Sequence, residues 1–301
     1  MTIGLISAPT NLGLRPPAPG SVPGTAKAPE ALREAGLYRR FAERGAQERG
    51  VVLPGRYADD AAPGVLRNQD AIVEHARRLA ERIGSVRADG LVPLVIGGDC
   101  SLLVGAGVAL RRAPGRHGLV HLDGHTDFRH PGNSDRCASL AGEDLAAAVG
   151  LHWPAVADID GLSPYFAPAD TVHAGCRDDD DALDETTALL GAVVPAARIR
   201  RQGAEEAARR ILEVVDRDGL DGYWLHLDVD ILDPGVMPAV DSPDPGGLDA
   251  AELADLLAAL APRAVGAQVT VFDPDLDPDG SRARLLTDVL AAGLEALGER
   301  R

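Results

Sequence analysis

Three short acidic runs occur in one order along the chain: GGDCS at 97–101, HLDGHTDF at 121–128 and HLDVDILDP at 226–234. Each closes an apolar, strand-like segment (LVPLVIGG, GLVHLDG and YWLHLDVDI). Side chains alternate along a strand, so Asp123 and His125 are expected on one face, as are Asp228 and Asp230. Asp127 continues the first spacing into the loop that follows. Four carboxylates and an imidazole gathered at strand ends repel one another unless a cation balances them. Oxygen ligands with one imidazole suit a manganese-like ion, and this much negative charge suits two. The pattern predicts a dinuclear metal hydrolase.

The runs differ in what they require. GGDCS is explained equally well by a strand–turn–helix corner, with Gly97 and Gly98 turning the backbone and Ser101 opening a helix. HLDGHTD places three ligand types at alternate positions, which are costly to bury without a metal. Asp228 and Asp230 need the same explanation, whereas Asp233-Pro234 reads as a turn. His121 and His226 each stand two residues before an aspartate, in the repeated triplet His-Leu-Asp. They are expected either to orient Asp123 and Asp228 as hydrogen-bond donors, not as ligands, or to form a hydrogen-bonded core pair.

The elements that must position these groups alternate between strand and helix. Strand-like runs are TIGLISAP, LVPLVIGG, GLVHLDG, DTVHAGCR, YWLHLDVDI and VGAQVTVFDP. Helical spacing covers APEALREAGLYRRFAER, 70–86, SLLVGAGVALRRA and about 204–217, 249–260 and 281–299. Such alternation implies βαβ units around a mostly parallel sheet covered on both faces, with ligands at the carboxyl ends of the strands. The stretch 129–168 is loop-rich and reads as a substrate-facing rim.

Composition narrows the function. A formal net charge of −16 over 301 residues repels nucleic acid and anionic membranes and favours a cationic substrate. Three irregularly spaced cysteines make no disulfide framework. The first twenty residues lack a basic start and a long apolar run, and no segment approaches about 20 apolar residues, so a cytoplasmic enzyme is expected.

The order GGD-x-S, D-x-H-x-D, x-x-D-x-D-x-x-D-P resembles the signature of the ureohydrolases, which include arginase, agmatinase and formiminoglutamase. The resemblance extends to APTNLGLRPP…APEALREAGL, GCRDDD near 175–180 and PGGLDAAEL near 245–253. It implies one arginase-like domain over 1–301, with a three-layer α/β/α fold on an eight-stranded parallel sheet, assembled as trimers or hexamers. It implies two Mn2+ ions bridged by Asp123 and Asp228. His125 and Asp230 would complete one site, and Asp127 with position 100 the other. Two cations sharing a water supply hydroxide near neutral pH, and Asp127 would pass its proton to the departing amine.

Departures from the family pattern bear on ligands and specificity. Cys100 stands at a histidine ligand position, which leaves three readings: a thiolate ligand, a spectator beside a weakly held metal, or a site with one ion. It also resembles cysteine-bearing ureohydrolases that act on N-hydroxyarginine. Ala141 occupies the place of the proton-shuttle histidine, for which His130 is the nearest substitute. Val271 replaces the glutamate that pairs with guanidinium, and Asp273, two residues on, is the closest carboxylate. Arg129 resembles the formiminoglutamase arginine that holds a substrate carboxylate. Asp180 matches the acid that receives a substrate amino group. A small cationic amino acid with a guanidino or modified guanidino end is expected, arginine or N-hydroxyarginine ahead of agmatine. The alternatives are an inactive metal-binding scaffold and a formiminoglutamase- or amidase-like hydrolase.

Overall fold

A computed structural model describes residues 1–299. Its eight strands are β1 (Ile3–Ala8), β2 (Gln47–Val51), β3 (Val92–Gly97), β4 (Gly118–Leu122), β5 (Thr171–Ala174), β6 (Ala192–Val194), β7 (Tyr223–Asp228) and β8 (Ala264–Thr270). They pair in the order β2-β1-β3-β8-β7-β4-β5-β6, and every pairing is parallel. All carboxyl ends therefore lie along one edge of the sheet. The central strands are buried on both faces, as apolar runs in parallel sheets require.

Strand alternation divides the core in two. Leu94, Ile96, Val120, Leu122, Leu225 and Leu227 pack under the helices Ala28–Glu34, Leu37–Glu43, Ala204–Val215, Ala250–Leu260 and Ser281–Gly293. Val95, Leu119, Trp224 and Val265 pack under Gln69–Ala88, Leu102–Arg112 and Asp144–Ala148. The result is the expected three-layer α/β/α arrangement. No described helix is long and apolar enough to cross a membrane.

Four details differ from the sequence reading. The helix expected over 28–44 breaks at Gly36, whose φ of 95° ends one helix and begins another. Strand β2 is mostly exposed and polar at the sheet edge, so its apolar signal is absent. The loop-rich rim at 129–168 contains the short helices Asp144–Ala148 and Pro154–Ala157. Strands β4 and β8 also stop earlier than their apolar runs suggest, which matters for the site.

Candidate metal centre

The acidic runs converge at the carboxyl ends of β3, β4 and β7, but turns rather than strand alternation aim their side chains. Strand β4 ends at Leu122, and Asp123 Oδ1 accepts the backbone N–H of His125 at 2.7 Å. Asp228 closes β7, and its Oδ1 accepts the N–H of Asp230 at 2.8 Å. The two runs thus use one device: an aspartate folds the chain back onto itself and leaves its second oxygen for another partner. Gly124 is required between Asp123 and His125, because a Cβ there would lie 2.6 Å from the carbonyl oxygen of Asp230. At the end of β3, Gly98 crosses the chain at Thr10 so closely that a Cβ would meet its carbonyl oxygen at 1.7 Å. That contact seats Asp99 and Cys100 beneath the centre.

The side chains form two overlapping groups. Ligand atoms of Asp123, His125 and Asp230 lie within 4.8 Å of one another, and so do those of Cys100, Asp123 and Asp127. His125 Nδ1 is 2.9 Å from Asp230 Oδ2, and its Nε2 is 3.0 Å from Asp244 Oδ2. Cys100 donates its S–H to Asp228 Oδ2 at 2.8 Å and touches Thr270 Oγ1 at 3.1 Å. Asp127 sits at φ 46°, a strained backbone that turns its half-buried side chain back toward the others.

The electrostatics demand a cation. Burial, then repulsion from neighbouring carboxylates, raises Asp123, Asp127 and Asp228 well above the ordinary aspartate value. Burial alone would lower His125, but hydrogen bonding and charge from Asp230 outweigh it and lift the imidazole to about 11. Asp230 is lowered despite burial, through His125, the Gly124 N–H and the Arg177 guanidinium. Leaving ionised carboxylates unpaired here costs several kcal/mol each, against a total stability of about 5–15 kcal/mol. Asp123 Oδ2 is buried and has no hydrogen-bond partner among the described residues. A divalent cation fits this donor set.

The other expected site residues are placed less simply. Both nitrogens of His130 are engaged, Nε2 with Glu185 of the helix Leu183–Leu189 at 3.1 Å and Nδ1 with the N–H of Gly132 at 3.0 Å. Asp180 accepts the N–H and Oγ1–H of Thr126 at 2.9 and 2.6 Å, so it braces the loop between His125 and Asp127. Arg129 lies 3.7 Å from the buried Glu143, which His152 also pairs at 2.9 Å. Asp273 does not share a strand face with Val271, because β8 ends at Thr270 and Val271 adopts φ 73°. Its oxygens accept the N–H groups of Gly24 and Asp275, which takes it out of any guanidinium clamp.

His121 and His226 do not bond the aspartates that follow them. They lie side by side in register on β4 and β7, their rings stacked at 4.6 Å. The same row continues to His173 on β5 and Gln268 on β8. His121 Nδ1 meets His173 Nδ1 at 3.0 Å, and Gln268 meets His226 Nδ1 at 2.7 Å. Both Nε2 atoms face Asp144, at 3.6 and 4.0 Å.

Sequence reasoning passed over Asp144, Arg177, Asp241 and Asp244. Arg177 is buried, and its Nη2 donates to the backbone carbonyl of Asp230 at 3.0 Å. Asp241 is exposed, yet enough protein surrounds its carboxyl that desolvation, and then Asp230, raise it to about 6. Both Asp241 and Asp244 lie in DSPDPGG, where Pro and Gly suggested only a turn.

Residues 2–294 match the profile of the arginase family. The arginase of Brevibacillus brevis is 28% identical over 277 residues, covering 89% of this chain and 91% of that protein. The solved structure of Bacillus caldovelox arginase superimposes with a TM-score of 0.87 at 26% identity, covering 97% of this chain and 98% of its own. Proclavaminate amidino hydrolase from Streptomyces clavuligerus gives a TM-score of 0.72 at 25% identity over 100% of this chain and 92% of its own. The chain belongs to the arginase family, a family of metal-dependent hydrolases.

Proposed function

We propose that the protein holds two manganese ions and hydrolyses a C–N bond in a small guanidino amino acid, arginine or an N-hydroxylated or otherwise modified arginine. The products are urea, or a urea derivative, and an amine. The observation that carries this reading is the pair of ligand groups sharing Asp123, one through His125 and Asp230, the other through Cys100 and Asp127. Asp123 and Asp228 would be held in common by the two ions, as the family resemblance implies, and that resemblance adds assembly as trimers or hexamers.

When bound, the two cations lower the pKa of a water enough to make it a nucleophile near neutral pH. The chain's own residues do the rest. Asp127, half-buried and held by a strained backbone, takes the proton of the attacking water and returns it to the departing amine. His130 is tied to Glu185, so proton transfer falls to Asp127. Asp180 fixes Thr126 and thereby the angle between His125 and Asp127.

Specificity rests on charge at the mouth. Val271 offers no carboxylate to a guanidinium, and Asp273 is committed elsewhere. Asp241 supplies negative charge beside Asp230 and Asp127 instead. A flat, fully charged guanidinium loses more from the missing carboxylate than an N-hydroxyguanidine, which is less basic. Arg129 favours a substrate that carries a carboxylate.

A second reading, an inactive scaffold that keeps its metal, is favoured only by Ala141 and Val271 at two functional family positions. The manganese-loaded protein should be assayed against arginine, N-hydroxyarginine, agmatine, guanidinobutyrate and formiminoglutamate, with urea and ammonia release followed. Turnover of arginine or N-hydroxyarginine is expected. Preference for agmatine or formiminoglutamate overturns the substrate, and inertness toward all five favours the scaffold.

A further inference from the structure

Asp144 is the most unusual side chain in the molecule. It opens the short helix Asp144–Ala148 and is fully buried, and neither carboxylate oxygen has a hydrogen-bond partner among the described residues. One of its oxygens, the Cys100 sulfur and a His226 nitrogen all lie within 4.8 Å of one another. It also stands beside Asp127, close enough to share a proton were one of the two neutral; as carboxylates they are two acceptors that repel. Nothing in ordinary packing rewards this placement.

The histidines around Asp144 are arranged to serve it. Trp224 Nε1–H can only donate, and it fixes Gln268 Oε1 at 3.0 Å. The amide nitrogen of Gln268 must then donate to His226 Nδ1, 2.7 Å away. In its neutral form His226 therefore carries its proton on Nε2, which faces Asp144 Oδ2 at 4.0 Å. His226 thus points an N–H at the carboxylate from beyond hydrogen-bond distance, which leaves that oxygen free. From the other side, His121 Nε2 approaches Asp144 Oδ1 at 3.6 Å. Both approaches are longer than hydrogen bonds, so the two histidines face the carboxylate without satisfying it.

Cys100 shows why such a ligand is needed. Its S–H is directed to Asp228 Oδ2 at 2.8 Å, and sulfur is a poor match for a manganese-like ion. The half of the centre containing Cys100 therefore lacks one good donor.

We propose that Asp144 is a metal ligand that replaces the imidazole lost at position 100. It completes the Cys100 side together with Asp123, Asp127 and Asp228, while Cys100 remains a thiol that positions Asp228. The Trp224–Gln268–His226 chain and His121 stand behind the new carboxylate. This rests on the two-ion reading, but it makes a separate claim about which residue binds.

Metal content decides it. Protein grown with manganese and freed of loose metal should contain two ions per chain by mass spectrometry, and Asp144→Asn should contain one. Adding Cys100→His to Asp144→Asn should restore the second ion, since the imidazole then returns to its place. If Asp144→Asn keeps two ions, the proposal fails even where activity falls, and the two-ion reading stands. One ion in both proteins defeats both ideas, as does none in the wild type. One ion in the wild type and none in Asp144→Asn supports the ligand and removes only the second ion. Should Asp144→Asn not fold, manganese anomalous diffraction from wild-type crystals gives the same answer. A peak within bonding distance of an Asp144 oxygen supports the proposal, and peaks only at other carboxylates overturn it.

Discussion

The two sides of the acidic centre are built by different means. On the His125 side the histidine and Asp230 are paired: His125 contacts Asp230 and Asp244, and Arg177 stands behind Asp230. On the Cys100 side Asp127 and Asp144 crowd each other, and Asp144 has no hydrogen-bond partner among the described residues. The first side is preorganised by the protein alone. The second is held only at the cost of repulsion, which a cation relieves. Cys100, where the family resemblance implies a histidine, lies on the strained side, beside Asp144 and next to the row of His173, His121, His226 and Gln268.

The most damaging change removes what both sides share. Asp123→Ala or Asp228→Ala should lose both ions and leave activity below detection, because in the proposed two-ion site both ions would share each aspartate. Metal analysis beside a urea assay checks this. Retention of one tightly bound ion in either variant would show that the two sides are independent sites.

Stability against pH separates the sides without mutation. In metal-free protein Asp123, Asp127 and Asp228 are raised above the ordinary aspartate value of about 3.9, and His125 is raised to about 11. Native protein then holds protons that the unfolded chain has released, so stability falls as pH rises. The carboxylates contribute this loss above about pH 4, and His125 contributes it from about 6.5 up to about 11. Melting of chelator-treated protein should therefore occur at lower temperature at pH 8.5 than at pH 6.5. Saturating manganese should flatten or reverse that slope, since metal displaces the same protons. A melting temperature that climbs with pH in the metal-free protein would contradict the crowding.

Much of this was legible in the residues. The ordered acidic runs located the edge of the sheet, and the apolar runs before them located β3, β4 and β7. What escaped was local geometry. Strand alternation suggested the right neighbours for the wrong reason, since Asp123 and Asp228 aim their partners through turns. Asp144 was hidden because it lies within 129–168, a stretch read only as a loop-rich rim. Only the folded position of the helix Asp144–Ala148 brings it up to His121, His226 and Cys100. Asp273 failed in the opposite way: the sequence placed it two residues from Val271, and the positive φ at Val271 carried it off.

A brace between the two sides should matter less than the ligands. Asp180 holds Thr126, the residue that separates His125 from Asp127. Asp180→Asn keeps the size but exchanges one acceptor for a donor that meets Thr126 badly. A loss of about 10–100-fold in activity or metal affinity is expected, as for other groups that orient ligands. If Asp180 instead received the substrate's amino group, KM would rise while metal affinity held, so titrating both quantities distinguishes the roles.

The smallest effects belong to the mouth, where the sides differ in the sign of their charge. Asp241 lies near His125 and Asp230, and Arg129 lies near Glu143 on the opposite flank. A cationic amino acid that spans them would place its charged end toward Asp241 and its carboxylate toward Arg129. Both groups are solvent-accessible, so each contributes only about 0.2–1 kcal/mol, or about a 1.4- to 5-fold change in KM. Arg129→Ala should raise KM for arginine or N-hydroxyarginine and leave any slow turnover of agmatine unaltered, because agmatine has no carboxylate to lose. Asp241→Asn should raise KM for all three, least for N-hydroxyarginine, whose head is less basic. Both effects should shrink in high salt, where the screening length falls to about 3 Å at 1 M. Equal losses for agmatine and arginine in Arg129→Ala would mean that the arginine only neutralises Glu143, and the substrate would then lie entirely on the His125 side.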